Sequence, residues 1–193
     1  MNLFAQIISA ISNPIVVSAP IFYALIFKTS GNMLYSLQWT FASFLFAATV
    51  ALFIFYGVRQ GFFSDLDITK QKERKTIFIF TSFIAFIYLI LVFILNGPKV
   101  LLVALGGLLL GLALASLINR KIKASLHLAV FSSFTMVLGI LYGGIFWIAL
   151  LLAPVVAWSR IKLKRHFLSE TIVGAGLGVF LVILVYFVVK YFA

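Results

Sequence analysis

No ionisable side chain lies deep inside the long apolar runs of this chain, and most of those runs have about the length of a bilayer. A hydrocarbon core of about 30 Å is crossed by roughly 20 apolar helical residues, because every backbone N–H and C=O must be satisfied within the segment itself. The first run ends near Phe27, before the turn Lys28-Thr-Ser-Gly-Asn32, and a second extends from Leu34 to Val58. Two more, 76–95 and 100–118, are separated by Asn96-Gly97-Pro98-Lys99, a pair of helix breakers that predicts a tight helical hairpin. Two shorter runs, 125–140 and 144–158, hinge at Tyr142-Gly143-Gly144, and the last covers 168–190. Residues 2–12 are apolar but end at Asn13-Pro14, which predicts either an interfacial helix or the kinked start of the first span. The expected fold is all-α: a polytopic transmembrane helical bundle of about six to seven spans, one membrane domain over residues 1–193. Composition agrees, since 64% of the residues are apolar, 10% are charged and mean hydropathy is +1.22.

Several classes are excluded at once. There is no cysteine, so disulfides and thiolate metal sites are absent. The 27 residues before Lys28 carry no charge and lack both the basic start and the small-residue cleavage site of a secretory signal, so they are read as part of the mature protein. Gly106-Gly-Leu-Leu-Leu-Gly111 and Gly174-x-Gly-x-Gly178 sit inside apolar runs and predict close helix packing rather than phosphate loops.

Laying out the spans sorts the charges. Twelve of the fifteen Lys and Arg fall in 59–75, 119–124 and 158–167, with Asp65, Asp67, Glu73, Glu170, His127 and His166, while Lys28, Lys99 and Lys190 fall on the other side. By the positive-inside rule the charged side is cytoplasmic, and discounting Arg74, Arg120, Lys123 and Arg160 as possible phosphate ligands still leaves eight basic residues facing three. A net charge of +11 suggests nucleic acid, but these residues sit in short membrane-flanking loops without interleaved aromatics, so no nucleic-acid partner is expected. Attraction to anionic headgroups accounts for Lys70, Lys72, Lys75, Lys162 and Lys164. It does not account for the two histidines and the acid beside them.

The third loop holds Ser159-Arg160-Ile-Lys-Leu-Lys-Arg-His166-Phe-Leu-Ser-Glu170. If the last helix has begun there, Glu170 shares a face with His166 and accepts a hydrogen bond from one ring nitrogen, leaving the other nucleophilic. Arg160 adds a planar donor suited to phosphate oxygens. The alternative is an interfacial loop whose basic side chains snorkel. Lys121-Ile-Lys123-Ala-Ser125-Leu-His127 opens another span on the same side. There a serine, the first free amides of a helix and Lys123 would make an anion site, with His127 placed to handle a proton. Its alternative is helix capping by Ser125 with His127 toward the headgroups.

Ser159-Arg160, five residues, His166, three residues and an acid resemble the third signature of the type 2 phosphatidic acid phosphatase superfamily, the lipid phosphate phosphatases related to vanadium haloperoxidases. Ala124-Ser125-Leu126-His127 resembles the second signature, usually Pro-Ser-Gly-His, with only Ser and His retained. The resemblance covers chiefly residues 120–190. The first signature, a Lys six residues before Arg-Pro, is not present as such; Arg74, followed by Lys75, is the nearest candidate.

The resemblance implies a metal-independent, cofactor-free hydrolase of a lipid or isoprenoid phosphate or diphosphate. In it His166 is the nucleophile that forms a phosphohistidine, Glu170 orients the ring, and His127 is the acid and base. Arg160, Ser125, Lys123 and Arg74 would bind the phosphate. Leu126 in place of the usual Gly crowds that approach. Asp65-x-Asp67 could hold magnesium but is better read, beside Ser64, as the cap of a short interfacial helix. Two other functions stay open: a non-catalytic protein of this kind that binds anionic headgroups or a partner, and a transporter or channel, for which an ionisable residue deep in a span would be expected.

Overall fold

The computed structural model describes residues 2–192. Its ordered elements are helices throughout: α1 (Leu3–Ile11), α2 (Pro14–Ser30), α3 (Met33–Arg59), α4 (Arg74–Ile94), α5 (Lys99–Ile118), α6 (Leu126–Tyr142), α7 (Ile145–Ile148), α8 (Ala153–Lys162) and α9 (Leu168–Phe192), with a 3-10 turn at Ala149–Leu152 between α7 and α8. Five segments are long and apolar enough to cross a membrane, namely Met33–Arg59, Arg74–Ile94, Lys99–Ile118, Ile145–Lys162 and Leu168–Tyr191. The broken pair α1 and α2 makes a sixth, and α6 is a shorter apolar helix of 17 residues. The protein is thus an all-α, polytopic membrane protein.

Two compact units are formed, one from Met1–Val17 and Lys121–Ala193, the other from Ser18–Arg120. In the first, α6 and α9 are the most extensive helix pair. A methyl group built on Gly174 would lie 2.3 Å from the Ser125 carbonyl oxygen, and one on Gly178 would lie 2.2 Å from that of Ala129. Only hydrogen at these two positions, one turn apart on α9, lets the backbones approach so closely. Ser133 Oγ on α6 then donates across to the Gly178 carbonyl at 3.1 Å. Close packing read from the Gly174–Gly178 pattern is therefore present. At Gly106 a methyl would meet nothing within 4 Å, so that glycine makes no such approach.

The α1 helix is apolar outside and small or polar inside, the reverse of a soluble helix. Leu3, Phe4, Ile7 and Ile11 are exposed, whereas Ala5, Ser9 and Ser12 are buried. Lipid, not water, is the solvent that favours this pattern. The α1 helix packs on α8, and at the edge of that contact the rings of Phe4 and Trp158 lie 5.9 Å apart. The span Ile145–Lys162 is broken where Pro154, at the start of α8, has no N–H to continue the preceding turn.

In the second unit, α4 and α5 form the expected hairpin. Asn96 adopts φ 50°, and Asn96 and Gly97 donate back to Phe93 and Val92 at 3.2 and 2.8 Å. This is the Schellman closure of a helix, in which Asn tolerates the left-handed conformation. Tyr88, Val92, Leu101 and Leu105 form the core there, flanked by Phe22, Trp39 and Phe46, and the Tyr88 hydroxyl meets Ser43 Oγ at 2.8 Å.

Candidate functional site

In the first unit the C-terminus of α8 and the N-termini of α6 and α9 converge. The convergence begins with how α8 ends. Lys164 takes φ 57° and donates to Ile161 O at 2.9 Å, while the amides of Arg165 and His166 both point to Arg160 O, at 3.0 and 3.3 Å. That closure folds the chain back so that His166 follows Arg160 in space as well as in sequence. Arg160 is therefore in the last helical turn, not in a loop as the placement of a loop at 158–167 implied; α8 runs on through Lys162. Basic residues at a helix C-terminus complement its dipole, which favours this extension. Arg160 turns inward, 1% exposed, and its Nη1 donates to Ser9 Oγ on α1.

Glu170 is the centre of the cluster. Its Oε2 lies 2.8 Å from His166 Nδ1, accepts the Phe167 amide at 3.1 Å and lies 3.8 Å from Lys123 Nζ. The sequence spacing anticipated the His166–Glu170 contact, but through a different geometry. Helix α9 begins at Leu168, so His166 stands before it, and Glu170, at the third helical position, reaches back to the N-terminal turn as in half of a capping box. The positive end of the α9 dipole also favours the carboxylate there. A carboxylate at Nδ1 holds the ring as the Nδ1–H tautomer and puts the lone pair on Nε2. The His166 side chain is 2% exposed.

The start of α6 is tied to the same residue. The Ser125 amide donates to the Glu170 carbonyl at 2.9 Å, and Lys123 Nζ donates to the Arg165 carbonyl at 2.7 Å. Ser125 occupies the N-cap with extended backbone, φ −76° and ψ 110°, yet its side chain makes no capping bond. Its Oγ is fully buried, with no hydrogen-bond partner among the described residues. The capping alternative for Ser125 is thus not what the side chain does. His127 follows at the second position of α6 and is buried.

Six of the seven candidate residues, Lys123, Ser125, His127, Arg160, His166 and Glu170, belong to this unit. Arg74 belongs to the other, where it is 4% exposed and its Nε donates to Ile68 O at 3.2 Å. Asp65 there accepts the amides of Asp67 and Thr69 at 2.9 and 3.3 Å, shaping a turn, so the interfacial helix expected at this point is absent. Ser9 was not anticipated. Its signal was the small and polar stripe Ala5, Ser9, Ser12 within an otherwise bulky apolar helix.

Two open grooves border α8, one at Asn2, Phe4, Pro154, Val155 and Trp158, the other at Pro154, Trp158, Ile161, Lys162, Lys164 and Leu168. Neither is lined by His166, His127 or Ser125. The chain matches no family model, no curated protein and no solved structure. Fold and site together define a polytopic α-helical membrane protein with a carboxylate-oriented histidine at the polar end of its helices.

Proposed function

We propose that this is an integral membrane phosphatase acting on a lipid or isoprenoid phosphate or diphosphate through a phosphohistidine. The observation that carries the reading is the 2.8 Å contact between Glu170 and His166 Nδ1, which leaves Nε2 as the nucleophilic nitrogen. Nε2 attacks phosphorus as the bond to the leaving oxygen breaks, and His127 gives that oxygen its proton. Water then attacks the phosphohistidine, its proton passes to His127, and phosphate and His166 are released. Glu170 stabilises the positive ring formed in the first step, while Arg160, Lys123 and the Ser125 hydroxyl supply donors to the phosphoryl oxygens. We infer a cytoplasmic polar end from its excess of Lys and Arg, and labelling of loop 59–75 only from outside intact cells overturns that inference.

The test is phosphate release by purified protein in detergent from phosphatidic acid, phosphatidylglycerophosphate and polyprenyl phosphates, without added metal and with vanadate as inhibitor. His166→Ala abolishes turnover, and an equally active variant sinks the mechanism. One observation favours a second, non-catalytic reading: Arg160 already donates to Ser9, and the Ser125 amide to Glu170, so the cluster also works as a clamp between α1, α6, α8 and α9. A protein that binds anionic lipid but releases no phosphate supports that reading.

A further inference from the structure

The outer face of α8 is built differently from its inner face. Val156, Ser159 and Arg160 turn inward and are buried, whereas Pro154, Trp158, Ile161 and Lys162 form the opposite stripe at helical spacing. With Lys164 and with Leu168 of α9 they line an open groove of ≈ 710 Å³. The groove is graded: apolar from Pro154 to Ile161, then doubly cationic at the end where α8 stops. An anion at a helix C-terminus is ordinarily repelled by the last carbonyls. Here the carbonyls of Ser159, Arg160 and Ile161 accept the amides of Leu163, Arg165 and Lys164 at 3.0, 3.0 and 2.9 Å, so they are turned into the closure. Lys162 and Lys164 are exposed and dominate the charge at that end. Trp158, 39% exposed, suits the boundary between chains and headgroups.

We propose that this groove is a binding site for an anionic phospholipid of the surrounding bilayer, with one acyl chain along Trp158 and Ile161 and its phosphate against Lys162 and Lys164. The site goes beyond the hydrolase reading and does not depend on it, because none of its residues is in the His166 cluster. It selects lipid by charge: each lysine favours an anionic over a zwitterionic headgroup roughly five-fold.

The experiment reads Trp158 fluorescence, taken as the difference between the native chain and Trp158→Phe, in vesicles containing phosphatidylglycerol or phosphatidylcholine with brominated acyl chains. Brominated phosphatidylglycerol should quench Trp158 at several-fold lower mole fraction than brominated phosphatidylcholine. The double variant Lys162→Gln/Lys164→Gln should lose that preference while quenching by phosphatidylcholine stays unchanged, which also reports an intact fold. The variant Lys72→Gln/Lys75→Gln, which removes the same charge from exposed positions of the other unit, should keep it. Equal quenching by the two lipids overturns the proposal, as does equal loss of preference in both double variants. His166→Ala should leave the quenching preference as it is, so the failure of catalysis and the failure of this site are read separately.

Discussion

The two units each carry a polar end with a nearly buried arginine and a carboxylate, and they use these groups in opposite ways. Around Arg74, bonds to backbone and hydroxyls shape a loop, beside the Lys70–Glu73 ion pair at 3.4 Å. Arg74 holds Ile68 O, Asp65 holds the turn at Asp67 and Thr69, Glu73 accepts from the amide and hydroxyl of Ser64, and Gln71 and Asn119 exchange bonds to each other's carbonyls. Ile68, a β-branched residue at φ 48°, is held in that conformation while buried against Phe63 and Ile77. Around Arg160 the central contact is side chain to side chain, His166 to Glu170, and the buried Ser125 hydroxyl has no hydrogen-bond partner among the described residues. A network that ends on its own backbone defines a loop. One that fixes the tautomer of a histidine is the arrangement on which the proposed hydrolysis rests.

Glutamine substitution of the two carboxylates separates these roles most sharply. Glu170→Gln removes the charge that the proposed mechanism sets against the cationic ring and should lower phosphate release by about 10²-fold or more, whereas Glu73→Gln should leave turnover unchanged. A smaller effect at Glu170 than at Glu73, measured by turnover in the same detergent, breaks the comparison. Next in size is packing. Gly174→Leu drives a side chain into the Ser125 backbone, and the loss of stability should be about 1–3 kcal/mol or more, read from the midpoint of detergent unfolding. The same change at Gly106, where the surroundings are open, should be nearly silent.

These turns also show what was legible. The α4–α5 turn and the α8 closure have the same Schellman geometry, but Asn96-Gly97-Pro98 announces itself while Leu163-Lys164-Arg165 does not. Lysine carries no preference for the left-handed region, so sequence pattern extended the polar loop back over Arg160, which is helical. Although 144–158 is broken at Ala149–Leu152 and runs on to Lys162, most span ends were read to within two or three residues, because lipid imposes length and apolarity locally. Gly174 and Gly178 were legible for the same reason. The His166–Glu170 pair was legible from its spacing alone, though as a helix face rather than a turn before the helix. Ser9 was not, since it meets Arg160 across 151 residues of sequence, a separation that no local pattern spans. The bonds that Lys123 and Ser125 make to the α9 turn were hidden in the same way.

Two smaller effects sharpen the contrast further. Lys164→Gly relieves the left-handed strain and should raise the stability of the first unit by about 1 kcal/mol in the same unfolding assay, while Asn96→Gly should change little. The least effect belongs to Glu73. Its carboxyl is held below the ordinary value of 4.5, first by the Ser64 amide and then by the Ser64 hydroxyl and Lys70, against the opposing pull of burial. A depressed carboxylate lends stability that is present above its unfolded value and is lost as pH falls through its folded value. Protease resistance of loop 60–73 should therefore fall below about pH 4.5, and Glu73→Gln should flatten that dependence.

The shortness of α6 has a bearing on where the protein can work. Its 17 residues span about 25 Å, whereas the 25 residues of α9 span about 37 Å. Gly174 and Gly178 key the two helices together, so neither can slide to absorb the mismatch. A bilayer with a thick hydrocarbon layer must either pinch inward at α6 or draw Ser125 and His127 below the headgroups, and each costs fractions of a kcal/mol per Å. Membrane thickness thereby becomes a control on the depth of the histidine cluster, one that a series of bilayers of graded acyl length would expose as a single optimum.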